Sequence, residues 1–266
     1  MRTSGKVSAT NGLYTLKGED WLVKQRIAGK IVANSLRQLQ EYCEKKTFHS
    51  MATLNDVIER YITSQGASCT FKNYKGFPSG VCISINHELV HGIPDDTVLV
   101  DGDVVSFDLG ATYQGAIADS AITCIFGPPK ESRHLALIKA TEEALMQGIR
   151  AIEVGKRLGC IGHAISKYAK NKGYGCINQY GGHGLDWNQP HAAPFVANID
   201  DKNNGFHIQP GLAIAIEPML TTGSTKTWVD PDGWTVWCEA EMSAHFEHSI
   251  YVHEDHVEII TDRTGL

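Results

Sequence analysis

No run of apolar residues in this chain of 266 approaches the roughly 18 needed to cross a bilayer as a helix. Nor does an apolar leader core follow the polar stretch Met1 to Thr10, which carries Arg2 and Lys6. A soluble, cytosolic protein without a membrane partner is expected. There is no C-x-x-C pair: seven scattered cysteines (Cys43, Cys69, Cys82, Cys124, Cys160, Cys176, Cys238) read as reduced, mostly buried thiols, not as a disulfide frame or zinc finger. Clustered Lys/Arg is missing too, and the net charge is −6, so a nucleic-acid surface, which needs concentrated positive charge, is excluded. A monomer is expected.

What the chain does have is enough apolar sequence, 42% against 20% charged, to bury a sizeable core. Residues 19 to 45 place Ile27, Ile31, Val32, Leu36, Leu39 and Cys43 at helical spacing. Residues 54 to 65 repeat the pattern with Leu54, Val57, Ile58, Tyr61 and Ile62, and Thr53 with Asp56 predicts a capping box at that helix's start. Strand-like runs follow at Val81 to Ile85, Val104 to Leu109 and Tyr113 to Phe126, the last two expected to meet in a turn near Gly110. Beyond the breaker Gly127-Pro128-Pro129 come two more helical patterns, 131 to 152 (Leu135, Ile138, Leu145, Ile149) and 158 to 170 (Leu158, Ile161, Ile165, Tyr168). The runs Leu212 to Ile216 and Ser243 to Val252 then repeat the strand order of the first half. The order predicts an α+β fold of two halves sharing an antiparallel sheet.

Each half carries two acidic residues on its strand-like segments, Asp108 and Asp119, then Glu217 and Glu247. Asp108 follows Val104 and Ser106 on one face of a strand whose other face, Val105, Phe107 and Leu109, is apolar. Four carboxylates brought together on such strands would raise one another's pKa values unless positive charge compensated. Two divalent cations would match the four negative charges, and His183, in Gly181-Gly182-His183-Gly184, offers a neutral fifth ligand between glycines that let the backbone approach a ligand closely. This oxygen-rich set suits Mn, Fe(II), Co or Zn, not Cu(I). Taken singly, each residue also has a plainer reading: a strand-edge Asp, a turn histidine at 183 or in His91-Gly92-Ile93-Pro94, a buried strand thiol at Cys82.

Taken in order, the segments Val81-Cys82-Ile83-Ser84-Ile85-Asn86, His91-Gly92-Ile93-Pro94-Asp95-Asp96, Asp101-Gly102-Asp103-Val104-Val105-Ser106-Phe107-Asp108, Gly181-Gly182-His183-Gly184, Ile216-Glu217-Pro218-Met219, Asp232-Gly233-Trp234-Thr235-Val236 and Ser243-Ala244-His245-Phe246-Glu247-His248 resemble the signature segments of type I methionine aminopeptidases. The likeness spans roughly residues 18 to 260. It implies the pita-bread fold, two pseudo-symmetric halves around a central antiparallel sheet. Residues 1–17 would be an N-terminal extension and 18–266 a single catalytic domain, with halves at about 18–127 and 130–260.

The resemblance also implies site roles. Asp119 and Glu247 would bridge two metals, Asp108 completing one and His183 with Glu217 the other. Glu217 would shuttle a proton to the leaving amine, His91 would bond near the scissile amide, and His191 would stabilise the oxyanion. His191 lies eight positions after His183, one more than the type I pattern, so the loop Leu185 to Pro190, with Trp187, is a departure; packing against the cleft is the alternative role. Phe77, Cys82 and Trp234 would line a methionine pocket, with Phe71 where members often carry cysteine. The implied reaction removes N-terminal methionine from nascent polypeptides whose second residue is small. Prolidase and aminopeptidase P share the five ligands, but they carry a further N-terminal domain, whereas fewer than twenty residues precede the first helix here. The 34 positions from His183 to Glu217 leave no room for the type II insertion, and the Cys/His-rich extension of eukaryotic type I enzymes is lacking. A catalytically dead binding module of the same fold would be expected to lose ligands, and all five are present.

Overall fold

The computed structural model describes residues 5–9, 12–47 and 50–264, with side chains from Tyr14 onward. Arg2 and the outer ends of the 1–17 and 18–266 spans lie outside the described residues. A hairpin of β1 (Gly5–Ala9) and β2 (Gly12–Leu16) precedes α1 (Glu19–Lys45) and α2 (Met51–Ser64), then β3 (Ser68–Cys69), a short 3-10 turn (Tyr74–Gly76), β4 (Val81–Ile85), β5 (Glu88–Val90), β6 (Val104–Tyr113) and β7 (Ala116–Ile125). The second half holds α3 (Ser132–Arg150), α4 (Cys160–Lys172), β8 (Gly175–Cys176), β9 (Gly182–Asp186), β10 (Gln189–Val196), β11 (Ala213–Ile216), β12 (Met219–Thr221), β13 (Thr227–Val229), β14 (Val236–Cys238), β15 (Ser243–His245), β16 (His248–Val252) and β17 (Val257–Ile259). Two helices and an antiparallel sheet in each half give the expected α+β pita-bread architecture.

Both faces of the central hairpin are covered, which is why β6 and β7 read as nearly continuous apolar runs. One face meets α1, whose Leu22, Ala28, Val32, Leu36 and Leu39 are fully buried. Ile27, expected on that stripe, is instead 40% exposed: the inward position of its turn is Ala28, and Gln25 beside it reaches across to donate to the Ile117 carbonyl. In α3, likewise, Leu135 is 39% exposed while Leu137 and Ile138 point inward.

Three local expectations change. The cap of α2 is Ser50, whose hydroxyl accepts from Thr53 N–H, so the helix begins before the anticipated Thr53 box. The hairpin does not turn at Gly110, which sits inside β6 paired with Asp119. The turn is Gln114-Gly115, both at positive φ (48° and 86°), the combination a tight two-residue hairpin requires. The run 243 to 252 divides into β15 and β16, yet the pairs Ile216↔His248 and Met219↔His245 keep one register, so a single ladder is interrupted only around Glu217-Pro218 and Phe246-Glu247. Pro218 has no N–H to give the ladder, and its carbonyl accepts from Phe246 N–H.

The halves meet where β7 runs antiparallel to the β15–β16 segment. Ala121 and Glu247 exchange both backbone hydrogen bonds, at 3.4 and 3.0 Å. On either side a hydroxyl replaces the direct bond: Ser249 bridges to Asp119, and Thr123 bridges to His245. The seam therefore runs through the residues of the candidate site.

Candidate metal centre

The register of the central hairpin brings its two aspartates together. Asp108 pairs with Ala121, and Asp119 with Gly110. Because residues 108 and 110 share a face, the two carboxylates are diagonal neighbours on one side of the hairpin. Glu217 and Glu247 occupy the interruption of the second ladder, where the common register sets them opposite each other. His183 arrives on β9, beside β11. The glycines around it serve strand approach, not ligand approach as expected: a Cβ at Gly182 would stand 2.2 Å from the Ala215 carbonyl oxygen, and one at Gly184 2.0 Å from that of Ala193.

The five side chains form overlapping groups. Asp108, Asp119 and Glu247 place ligand atoms within 4.8 Å of one another, as do His183, Glu217 and Glu247. His183 Nε2 lies 3.6 Å from Glu217 Oε1 and 3.9 Å from both Asp119 Oδ2 and Glu247 Oε1. Burial, and then the neighbouring carboxylates, push Asp108 and Glu247 well above the usual carboxylate range and Asp119 up to about 8. Burial pushes Glu217 up too, but the imidazoles of His245 and His183 outweigh it and hold its carboxyl below its usual value.

Asp108 Oδ1, Asp119 Oδ1 and Glu247 Oε1 are buried without a hydrogen-bond partner. Such orphaned acceptors are costly in a dry interior. Arg263 acts on Glu247 through its positive charge and itself donates to Ser120 Oγ; one guanidinium does not balance four carboxylates. The donor set fits hard or borderline divalent cations.

A cavity of about 530 Å³ opens over this group. His91 and His191 line it, His191 with its ring centroid 4.5 Å from that of His183; Asp119, His183 and His191 each offer a ligand atom within 4.8 Å of the other two. The departure in the 185–190 loop is absorbed by the β9–β10 hairpin, whose pairing slips twice, between Gln189 and Ala192 and between Ala192 and Phe195. These bulges re-aim His191 into the cavity. Burial lowers the pKa of His91, and desolvation of the His191 ring, on a side chain that keeps an exposed edge, followed by the neighbouring His183 imidazole, takes His191 down to about 3, so both are neutral near pH 7.

Phe71, Phe77 and Cys82 form an apolar cluster separate from the main core, with Ile93 and Trp234 packed against it. Trp234 meets Phe77 edge-on at 5.2 Å, and Cys82 is the direct cross-strand partner of Asp108. Phe71 stacks parallel to His191 at 6.3 Å. Phe71, Phe77, Cys82 and Trp234 line the same cavity as the carboxylates.

Sequence reasoning missed His245, whose Nε2 lies 3.5 Å from Glu217 Oε2. Its place two residues before Glu247 on a strand-like run was the available signal. It also missed Tyr74, Lys75, Gln179, Tyr180 and Phe195, which reach the cavity from turns and from a strand end and follow no periodic pattern.

Comparison with known proteins agrees with this picture. The profile of metallopeptidase family M24 matches residues 24–254. A methionine aminopeptidase of Mycoplasma capricolum is 38% identical over 250 residues, covering 94% of this chain and 98% of that protein. Methionine aminopeptidase 1 of Bacillus subtilis is 38% identical over 89% of this chain and 94% of its own. The crystal structure of methionine aminopeptidase from Rickettsia prowazekii superposes with a TM-score of 0.88 at 34% identity, covering 93% of this chain and 99% of that one. A buried carboxylate cluster with a histidine, on this fold and with these relatives, places the chain in metallopeptidase family M24.

Proposed function

We propose that the protein removes N-terminal methionine from newly made polypeptides in the cytoplasm, with two divalent metal ions (Co, Mn, Fe(II) or Zn) held by Asp108, Asp119, His183, Glu217 and Glu247. The observation that carries this reading is the adjacency of two different environments in one cavity: carboxylates with unpartnered oxygens, and a separate apolar pocket of Phe71, Phe77, Cys82 and Trp234. When bound, the metals supply Lewis acidity, lowering the pKa of water and polarising the scissile carbonyl.

The chain's own groups do the rest. Glu217, whose carboxyl is held in the ionised form by His245 and His183, accepts the proton of the attacking water and delivers it to the leaving amine. His191, kept neutral, donates to the oxyanion of the tetrahedral intermediate, and His91, also neutral, bonds near the scissile amide. The aromatic and thiol groups of the pocket take an unbranched thioether side chain, with Trp234 and Phe77 in edge contact at its wall.

Purified protein with Mn(II) or Co(II) is to be incubated with Met-Ala-Ser, Met-Lys-Ser and Ala-Pro-Ser. Release of methionine from the first alone is expected; preferential cleavage of Ala-Pro-Ser would overturn the proposal in favour of a proline-directed enzyme.

A further inference from the structure

Away from the central cavity, His134 breaks the rule that buried polar groups find partners. It is 2% exposed, and neither of its ring nitrogens has a hydrogen-bond partner. It lies in the first turn of α3, beside the N-cap residue Glu131. Across from it is Glu241, in the segment between β14 and β15. One ligand atom from each of Glu131, His134 and Glu241 lies within 4.8 Å of the other two. The glutamates are joined by Arg133, whose Nε stands 2.5 Å from Glu131 Oε2 and whose Nη2 stands 2.8 Å from Glu241 Oε1. The imidazole is left outside that pairing.

We propose that Glu131, His134 and Glu241 form a second cation site, peripheral to the catalytic centre, that takes a borderline divalent transition metal, Zn(II) in particular. One imidazole nitrogen and two carboxylate oxygens, with water in the fourth position, match zinc's ligand preferences; calcium and magnesium favour all-oxygen shells. Tetrahedral zinc with bonds of about 2.0–2.2 Å needs ligand atoms about 3.3 Å apart. The exposed glutamates reach that spacing by side-chain rotation, while the buried ring is already fixed. Two carboxylates less one guanidinium leave a net negative charge that attracts the cation. Arg133 is half-exposed, so its ion pairs are weak competitors and its guanidinium moves into solvent when the metal binds.

None of the three residues lines the central cavity. The site ties the start of α3 to the segment that leads into β15, two residues beyond Glu241, and so to the strand carrying His245. Binding there stabilises the seam side of the second half without contributing a catalytic group.

The test measures Zn(II) retained per chain by the full-length protein after gel filtration in buffer with micromolar free Zn(II). Wild type is expected to hold one equivalent more than Glu131→Gln and one more than Glu241→Gln, two surface substitutions that leave the core intact. It is also expected to show a Zn(II)-dependent rise in melting temperature that both variants lack in part. His134→Gln should behave likewise if it folds. An unchanged Zn(II) count in either glutamine variant would overturn the proposal, whatever the outcome of the peptide assay.

Discussion

The hydroxyl of Ser249 serves both backbone groups of Asp119: it accepts the Asp119 N–H and donates to the Asp119 carbonyl, each at 2.8 Å. Thr123 does the same for His245, also at 2.8 Å in both directions. The pair stands on either side of the direct Ala121–Glu247 exchange, so the seam between the halves positions a carboxylate from each half. Ser249→Ala and Thr123→Val would each strand a buried N–H and a carbonyl. We expect a loss of about 1–3 kcal/mol in urea unfolding of either variant. Ser249→Ala should in addition weaken metal-dependent activity, because Asp119 loses its backbone anchor.

His91 adopts φ 61°, a left-handed conformation that a side-chain-bearing residue holds at some cost. Asparagine tolerates that conformation well. His91→Asn is expected to keep the melting temperature of wild type while lowering kcat by about 100-fold. A parallel loss of stability and activity would show a structural histidine instead.

Trp234 forms the outer wall of the apolar pocket against Phe77. Trp234→Ala should lower kcat/KM for Met-Ala-Ser by about 10- to 100-fold, chiefly through KM. A matching reduction in kcat alone would place the tryptophan elsewhere in the reaction.

Glu88 is pushed up to about 7, first by burial and then by the charges of Asp95, Asp232 and Asp230, although it accepts the Ile85 N–H at 2.8 Å. A carboxyl whose folded pKa exceeds its unfolded one contributes stability that is complete at low pH and is lost as pH rises between the two values. Its contribution should therefore fall between about pH 4.5 and 7, by at most about 3 kcal/mol. Glu88→Gln, which keeps the acceptor, should flatten that part of the stability profile; thermal melts across the range check it.

Much of this was legible in the chain. Helical periodicity located α1 to α4 because each buries a regular stripe, as Leu36 and Leu39 or Ile161 and Ile165 show. The five clustered side chains stood in ordered segments. What escaped depends on three-dimensional context. Gly110 looks like a turn residue until the close approach of Thr70 explains it, with a Cβ there meeting the threonine side chain at 2.9 Å. The break at Glu247 is visible only once β7 is seen to take over its backbone bonds. His191 depends on two bulges that spacing alone cannot locate. His245 faces Glu217, a partner 28 residues away in sequence.

The buried carboxylates are proposed to hold the metals on which turnover depends, and Glu247→Gln is the sharpest probe of that role. Replacing one of four mutually repelling carboxylates should leave the metal-free melting temperature equal to or above that of wild type, while Mn(II)-dependent release of methionine from Met-Ala-Ser disappears. Turnover near the wild-type rate in the folded variant would rule out that role for Glu247.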